Sequence, residues 1–404
     1  MPQNFNFDLL DGLNFLAGKK ENILACREIA PKFPFDEEIL QFLQSVSSYL
    51  MNDKDARQYS DVITFAYWIR RASLQKLKAQ FTKNDGSFQI GRGVVFHIAP
   101  SNVPVNFAYS LTAGLLFGNG NIVRVSSKDF PQVDIISAAF RAGLAAFPQI
   151  APYVTIVRYE KDRAINDLFS ALCNVRVLWG GDNTIAEIRQ SPLQPRATEI
   201  TFADRYSLAV IDSATYMAAE NKKRLAEDFY NDTYFSDQNA CTSPFIVIWL
   251  GNDSAQAKKI FWDNLYQVVQ KKYNLQAVKS VDKLTAALMA AANFPNSRIE
   301  PHEDNLIIRV TVDAATAALV DYRENCGFFF EYDCKNILEL KDLCNNTRCQ
   351  TIGYIGDKEI FSPLIKVGVK GIDRIVSVGR TMDFELIWDG YELNAMLTRT
   401  ICIE

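Results

Sequence analysis

The chain has 404 residues, of which 48% are hydrophobic and 22% charged, with a net charge of −4. Such a length exceeds one hydrophobic core and predicts two domains, while basic residues scattered among acids exclude a nucleic-acid-binding surface. No apolar run is long enough to span a bilayer, and the opening "MPQNFNFDLLDGLNF" has neither a basic region nor a small-residue cleavage site, so a cytoplasmic chain with reduced thiols is expected.

Residues 1–80 read as a helical region. In "DEEILQFLQSVSSYLMN" and "SDVITFAYWIRRASLQKLKAQF" apolar residues recur every three or four positions. Turn residues in "KNDGSFQIGRG" interrupt this pattern. From there to about residue 212 short apolar strands alternate with helices: "GVVFHIAP", "NIVRVS", "YVTIVRY", "VRVLWGG" and "SLAVID". Strands apolar throughout suit a parallel sheet covered on both faces, which predicts a doubly wound α/β domain over 81–212. The pattern restarts over 213–375 as a second α/β domain containing "FIVIWLG", "DNLIIRVTVD" and "QTIGYIGD". The aromatic, β-branched tail 376–404 suits an edge strand of the kind that pairs across a dimer.

Eight cysteines and two histidines are present, with no CxxC, so a Cys/His zinc site is not expected. Cys173 and Cys402 lie in apolar context and read as core. His97, in mid-strand, reads as a satisfied core histidine. Three loops bear chemistry. "APSNVPV" leaves a strand through Ser101 and Asn102 between two prolines. A rigid turn suits an amide donor preorganised for an oxyanion, and equally an Asx-turn or helix cap. "WGGDN" follows a strand with Gly180 and Gly181 and opens a helix at Asp182 or Asn183. It admits a ligand to the backbone, or forms a structural left-handed turn, and it is not the GxGxxG fingerprint. "SDQNACTSP" places Cys241 among polar residues just before a strand, as a nucleophile or as a buried thiol.

The order of these features resembles the aldehyde dehydrogenase superfamily. Closer still, "APSNVPV", "VLWGG", "DRYSLAVID", "DQNACTSP" and "GIDRIVSVGRTMDFELIWDGYEL" resemble the LuxC-type acyl-CoA reductases over roughly residues 85–400. The resemblance implies an aldehyde dehydrogenase-like α/β fold with a nicotinamide-binding domain, a catalytic domain and a C-terminal oligomerisation strand. It further implies NADPH-dependent reduction of a fatty acyl thioester, on CoA or acyl carrier protein, to an aldehyde. A homodimer or homotetramer and an acyl-protein synthetase or transferase partner belong to the same expectation.

Residue by residue, the resemblance makes Cys241 the nucleophile, Gln238 the glutamine before it, Asn102 the oxyanion donor and Arg124 the basic ribose contact. Gly180 and Gly181 match the turn beside the pyrophosphate, and Ser101 the adjoining cofactor contact. Two departures stand out. Ser126 and Ser127 occupy the place of the usual ribose-binding acid, which with Arg124 and Lys128 favours a 2′-phosphate and so NADPH. No histidine stands about forty residues before Cys241, which leaves Glu199 as the ionisable substitute for the base, or as a salt-bridge residue. A thiol of ordinary pKa needs no strict base for attack. Two alternatives remain open: an acyl phosphate reductase resembling gamma-glutamyl phosphate reductase, and a non-catalytic subunit that scaffolds a partner.

Overall fold

A computed structural model describes residues 5–81, 88–252, 254–301 and 304–403. His302 and residues 83–87, the first part of the predicted turn, lie outside them, and the rest of that stretch begins with the strand Phe88–Gly91. The chain divides into two compact units, Met1–Ala203 with Tyr391–Glu404, and Asp204–Gly390.

The first unit contains β1 (Asn14–Ala17), β2 (Phe88–Gly91), β3 (Val94–Ile98), β4 (Gly120–Val125), β5 (Val154–Arg158), β6 (Val175–Trp179) and β7 (Thr198–Phe202). Six of them form one sheet in the order β1-β5-β4-β3-β6-β7. All pairs are parallel except β1 with β5. β3 and β6 are buried at every position, as strands covered by helices on both faces must be. Helices Asn106–Leu116, Pro131–Ala146 and Arg163–Leu172 make the crossovers.

The predicted N-terminal helical region is part of this unit. Helix Glu37–Asn52, capped by the Asp36 carboxylate, lays Phe42 against Phe140 with ring centroids 5.9 Å apart. Gly143 permits this approach, since a Cβ there would lie 2.8 Å from the Phe42 ring. The single helix predicted after Ser60 is two, Ser60–Trp68 and Arg71–Phe81, because the chain leaves helical geometry at Ile69 with ψ 4°. His97 is core as expected: its Nδ1 is 2.8 Å from Ser110 Oγ and its Nε2 3.0 Å from Asn121 Oδ1. Burial pushes its imidazole down to about 4, so the ring is neutral.

The second unit contains β8 (Tyr206–Asp212), β9 (Pro244–Leu250), β10 (Arg298–Pro301), β11 (Ile308–Val312), β12 (Phe328–Cys334), β13 (Cys349–Ile355) and β14 (Arg374–Ser377). The order is β10-β11-β12-β9-β8-β13-β14, parallel except for β10. β8, "YSLAVID", thus lies inside the second sheet, with Leu208 opposite Ile246 and Ala209 opposite Gly353. Placing it last in the first domain is corrected here. A buried parallel strand has the same apolar pattern in either sheet, and only its neighbours decide which it joins.

The tail also differs from a single edge strand. Its first part is a loop held by Asp232, whose carboxylate accepts from the Gly379 N–H at 2.6 Å and the Thr381 N–H at 3.0 Å. Arg374 donates to the Thr381 and Asp383 carbonyls and stacks on Trp388, 4.5 Å from the ring centre. Only Thr398–Ile401 is a strand of any length, and it pairs antiparallel with β2 of the same chain. Cys402 follows that strand and is exposed rather than core, because the pairing ends at Ile401. Among the described residues no helix is long and apolar enough to cross a membrane.

Candidate active site

The Cys241 loop lies at the amino edge of the second sheet, where β9 begins. Helix Lys222–Asp232 and the turn Tyr234–Ser236 deliver the chain to Asp237 and Gln238, both left-handed with φ 52° and 59°. Two consecutive non-glycine residues there are costly and must be held by their surroundings. Gln238 shows how. Its buried amide donates to the Pro244 carbonyl at 3.0 Å and the Phe328 carbonyl at 3.1 Å. Its oxygen accepts from the N–H groups of Gly327 at 2.8 Å and Phe328 at 3.3 Å. One side chain therefore ties the starts of β9 and β12 together. Beyond it, Asn325 donates to Asn239 Oδ1 at 2.7 Å, and Ser207 Oγ donates to the Cys241 carbonyl at 2.7 Å.

Cys241 is half-buried. Burial first, then the negative charge of Asp389, pushes the thiol up to about 12. A hydrogen bond from Gln350 and the charges of Arg323 and Arg205 act in the opposite sense and do not restore it. This corrects the expectation of a thiol that attacks without help. At neutral pH burial therefore keeps this group almost wholly in the thiol form, and a nearby proton acceptor would assist any attack by it.

The groups around the thiol come from widely separated segments. Gln350 on β13 donates from Nε2 to Asp389 Oδ1. Arg205 Nη2 pairs with Asp373 at 2.5 Å. Asp389 and Gly390 are both left-handed, at φ 50° and 75°, and a Cβ on Gly390 would lie 2.9 Å from Asp373. Sequence reasoning missed Gln350, Asp389, Arg205 and Arg323. The available signals were Arg205 in "DRYSLAVID" and Asp389 in the Trp388-Asp389-Gly390 motif, both of which carried the resemblance without a role.

In the first unit, the strand order reverses between β3 and β6, and a doubly wound sheet receives ligands at the carboxyl ends beside such a point. Three predicted segments meet that description. Ser101 and Asn102 follow β3 and are exposed. Asn102 is not a helix cap, since the next helix starts at Asn106 with Val105 before it. Gly180 and Gly181 follow β6, and the helix cap is Gly181 itself rather than Asp182 or Asn183. Neither glycine has a left-handed φ, so a structural αL turn is not their reason. A Cβ on Gly181 would meet nothing within 4 Å, and one on Gly180 only Thr184 at 3.3 Å. Open space beside this backbone would admit a ligand to it.

Arg124, the last residue but one of the neighbouring β4, lies 4.9 Å from the Tyr159 ring, donates from Nη2 to the Tyr159 carbonyl at 3.4 Å and has a buried Nε without a hydrogen-bond partner. Ser126 Oγ accepts from the Lys128 N–H at 3.1 Å, and Ser127 is exposed. The donor set at this edge is therefore cationic and hydroxylic, which suits a phosphorylated ribose.

Glu199 is not brought to these residues. It sits near the start of β7, opposite Arg176, whereas the glycines follow the far ends of the strands. Its carboxylate accepts from Arg176 at 2.5 Å and Arg189 at 2.7 Å. Of the two readings of Glu199, this geometry favours the ion pair.

The two units together define an aldehyde dehydrogenase-like protein by architecture. Aldehyde dehydrogenase 21 from Physcomitrella patens superposes with a TM-score of 0.64 at 12% identity, covering 94% of this chain and 88% of that one. A Thermus 1-pyrroline-5-carboxylate dehydrogenase with bound NAD superposes at 0.60 and 14% identity, covering 95% and 85%. An E. coli NADP-dependent enzyme does so at 0.61 and 14%, covering 94% and 87%. At such identities the likeness concerns the fold. Within that class, the chain belongs to the LuxC acyl-CoA reductase family, whose profile matches residues 16–399. A long-chain acyl-protein thioester reductase of Aliivibrio fischeri is 22% identical over 303 residues, 73% of this chain and 60% of that protein. A second, from Photobacterium leiognathi, is 26% identical over 182 residues, 45% and 36% of the respective chains. This chain thus spans about 60% of the length of the first of these relatives.

Proposed function

We propose that this protein reduces a fatty acyl thioester to the aldehyde with NADPH, through an acyl-enzyme on Cys241. The observation that carries the reading is the Cys241 loop itself: two left-handed residues and a fully bonded Gln238 hold one half-buried thiol at a sheet edge, within a polar cluster. Structural thiols such as Cys344 and Cys349 are fully buried instead.

The Cys241 sulfur attacks the thioester carbonyl, and the departing CoA or carrier-protein thiol leaves an acyl-enzyme. The Cys241 backbone N–H serves as a donor for the oxyanion, and the family resemblance assigns the same role to the Asn102 amide. Gly180 and Gly181 admit the cofactor to the backbone, Ser101 adjoins it, and Arg124 with Ser126 and Ser127 recognises the 2′-phosphate of NADPH. Bound there, NADPH supplies the hydride that brings the acyl group to the aldehyde level. A homodimer or homotetramer and an acyl-protein synthetase or transferase partner complete this reading.

Radiolabelled decanoyl-CoA without NADPH tests it. Label is expected on the wild-type chain and absent from Cys241→Ala. Label that persists in the variant removes Cys241 as nucleophile, and NADPH or partner binding without turnover identifies a scaffold. Oxidation of NADPH with an acyl phosphate but not with acyl-CoA would move the substrate to the phosphate class. Comparing acyl-CoA with acyl carrier protein then decides the donor.

A further inference from the structure

Burial keeps the Cys241 thiol protonated, so a proton acceptor would assist its attack. We infer that Asp389 takes the Cys241 proton during acyl transfer, with Gln350 fixing both groups; the inference rests on the proposed acyl-enzyme reaction.

Four observations carry this. First, Asp389 is buried, yet among the described residues it forms no salt bridge. The nearby cations are committed elsewhere: Arg205 to Asp373, and Arg374 to the Thr381 and Asp383 carbonyls. An unpaired buried carboxylate is costly, and such groups gather at working sites. Second, the fully buried Gln350 donates from Nε2 to Asp389 and is also hydrogen-bonded toward the Cys241 thiol, while its Oε1 has no partner. An ionised carboxylate accepts only, so it compels the amide to present N–H rather than oxygen. The second N–H of the same nitrogen then serves the sulfur anion.

Third, elimination within the cluster leaves one acceptor. The groups acting on the thiol are Asp389, Gln350, Arg323 and Arg205. Those acting on Asp389 are Gln350, Arg205, Asp373 and Arg374. Guanidinium groups do not accept protons, an amide is a poor base, and Asp373 is held by Arg205. Burial, the largest cause, pushes Asp389 up to about 6, which brings it near the working range of a general base. Fourth, moving a proton from sulfur to Asp389 leaves the charge of the cluster unchanged and removes the carboxylate charge that opposes the thiolate. The transfer creates no additional buried charge.

The step balances. The S–H bond breaks as the C–S bond forms, and the proton passes to the Asp389 carboxylate. Collapse of the tetrahedral adduct breaks the bond to the departing thiol, and the Asp389 carboxyl returns the proton to that thiolate.

The test follows two reactions of Cys241 in the full chain across acid and alkaline pH. One is acylation by radiolabelled decanoyl-CoA in rapid quench. The other is alkylation by iodoacetamide, located by peptide mapping. In Asp389→Asn, acylation is expected to fall by about 10²- to 10⁴-fold and to lose its acid limb, as for removal of a general base. Alkylation of Cys241 is expected to quicken, because the opposing charge is gone. Asp389→Glu restores a measurable part of the acylation. Acylation within threefold of wild type, or a parallel loss of both reactions, would overturn the inference. Absence of label from wild-type Cys241 would refute the acyl-enzyme reading itself. In that event the alkylation arm still decides, since an unchanged pH profile of Cys241 in Asp389→Asn contradicts the coupling between the two groups.

Discussion

Gln238 offers the sharpest measure of what holds the nucleophile loop. Gln238→Ala removes four hydrogen bonds to the backbone of Pro244, Gly327 and Phe328. At about 1 kcal/mol net for each bond, the loss is about 4 kcal/mol, and more if the stranded groups stay dry. The backbone adds a second, separable effect. Position 238 has φ 59°, where a Cβ costs about 1 kcal/mol and glycine costs little. Gln238→Gly should therefore be no worse than Gln238→Ala, although glycine is ordinarily the more destabilising residue. Urea unfolding followed by tryptophan fluorescence reports on it, because Trp249 and Trp262 are buried in the same unit. A loss below ~1 kcal/mol for Gln238→Ala, or a glycine variant clearly weaker than the alanine one, would refute the reasoning. Acylation of Cys241 should fall in both variants, since the loop is the element released.

Other expectations test the remaining groups. Burial pushes Asp232 from 3.8 up to about 7, despite the Gly379 and Thr381 N–H groups that favour its charge. The folded state thus prefers the protonated form, and stability is lost as pH rises from the unfolded value through about 7. At about 1.4 kcal/mol per unit the loss approaches ~4 kcal/mol, and Asp232→Asn should flatten it in denaturation midpoints measured against pH. An unchanged slope in the variant would discard this account. Glu199→Gln should cost about 2–4 kcal/mol by leaving Arg176 short of its partner, while acyl-enzyme formation changes less than twofold. A large fall in acylation at unaltered stability would return Glu199 to the role of base. In the native chain iodoacetamide should modify exposed Cys402 well before Cys241. Faster modification of Cys241 would contradict a thiol raised by burial.

The sequence was read most easily where chemistry is local. The strands "VVFHI" and "VRVLW" are apolar throughout because both faces are covered, and that pattern appears in the chain itself. The Cys241 segment was visible because polar residues before an apolar strand are unusual for a core thiol. The two glycines were located in the sequence, but whether they admit a ligand or form a left-handed turn stayed open there, since an extended glycine beside open space looks the same in a sequence as a left-handed one.

What the sequence by itself determined was the class of fold, the two alternating α/β patterns and the polar setting of Cys241 before an apolar strand. Only the tertiary structure decided which sheet owns Tyr206–Asp212, that Glu199 is bound to Arg176 and Arg189, and that Gln350 and Asp389 gather at the thiol. The reason is sequence separation. Cys241, Gln350 and Asp389 lie on three segments with no periodicity in common: the sheet's strand order sets β13 near the start of β9, and the tail loop, outside that sheet, supplies Asp389. The state of a thiol depends on how deeply it is buried and which charges surround it, and both are properties of packing.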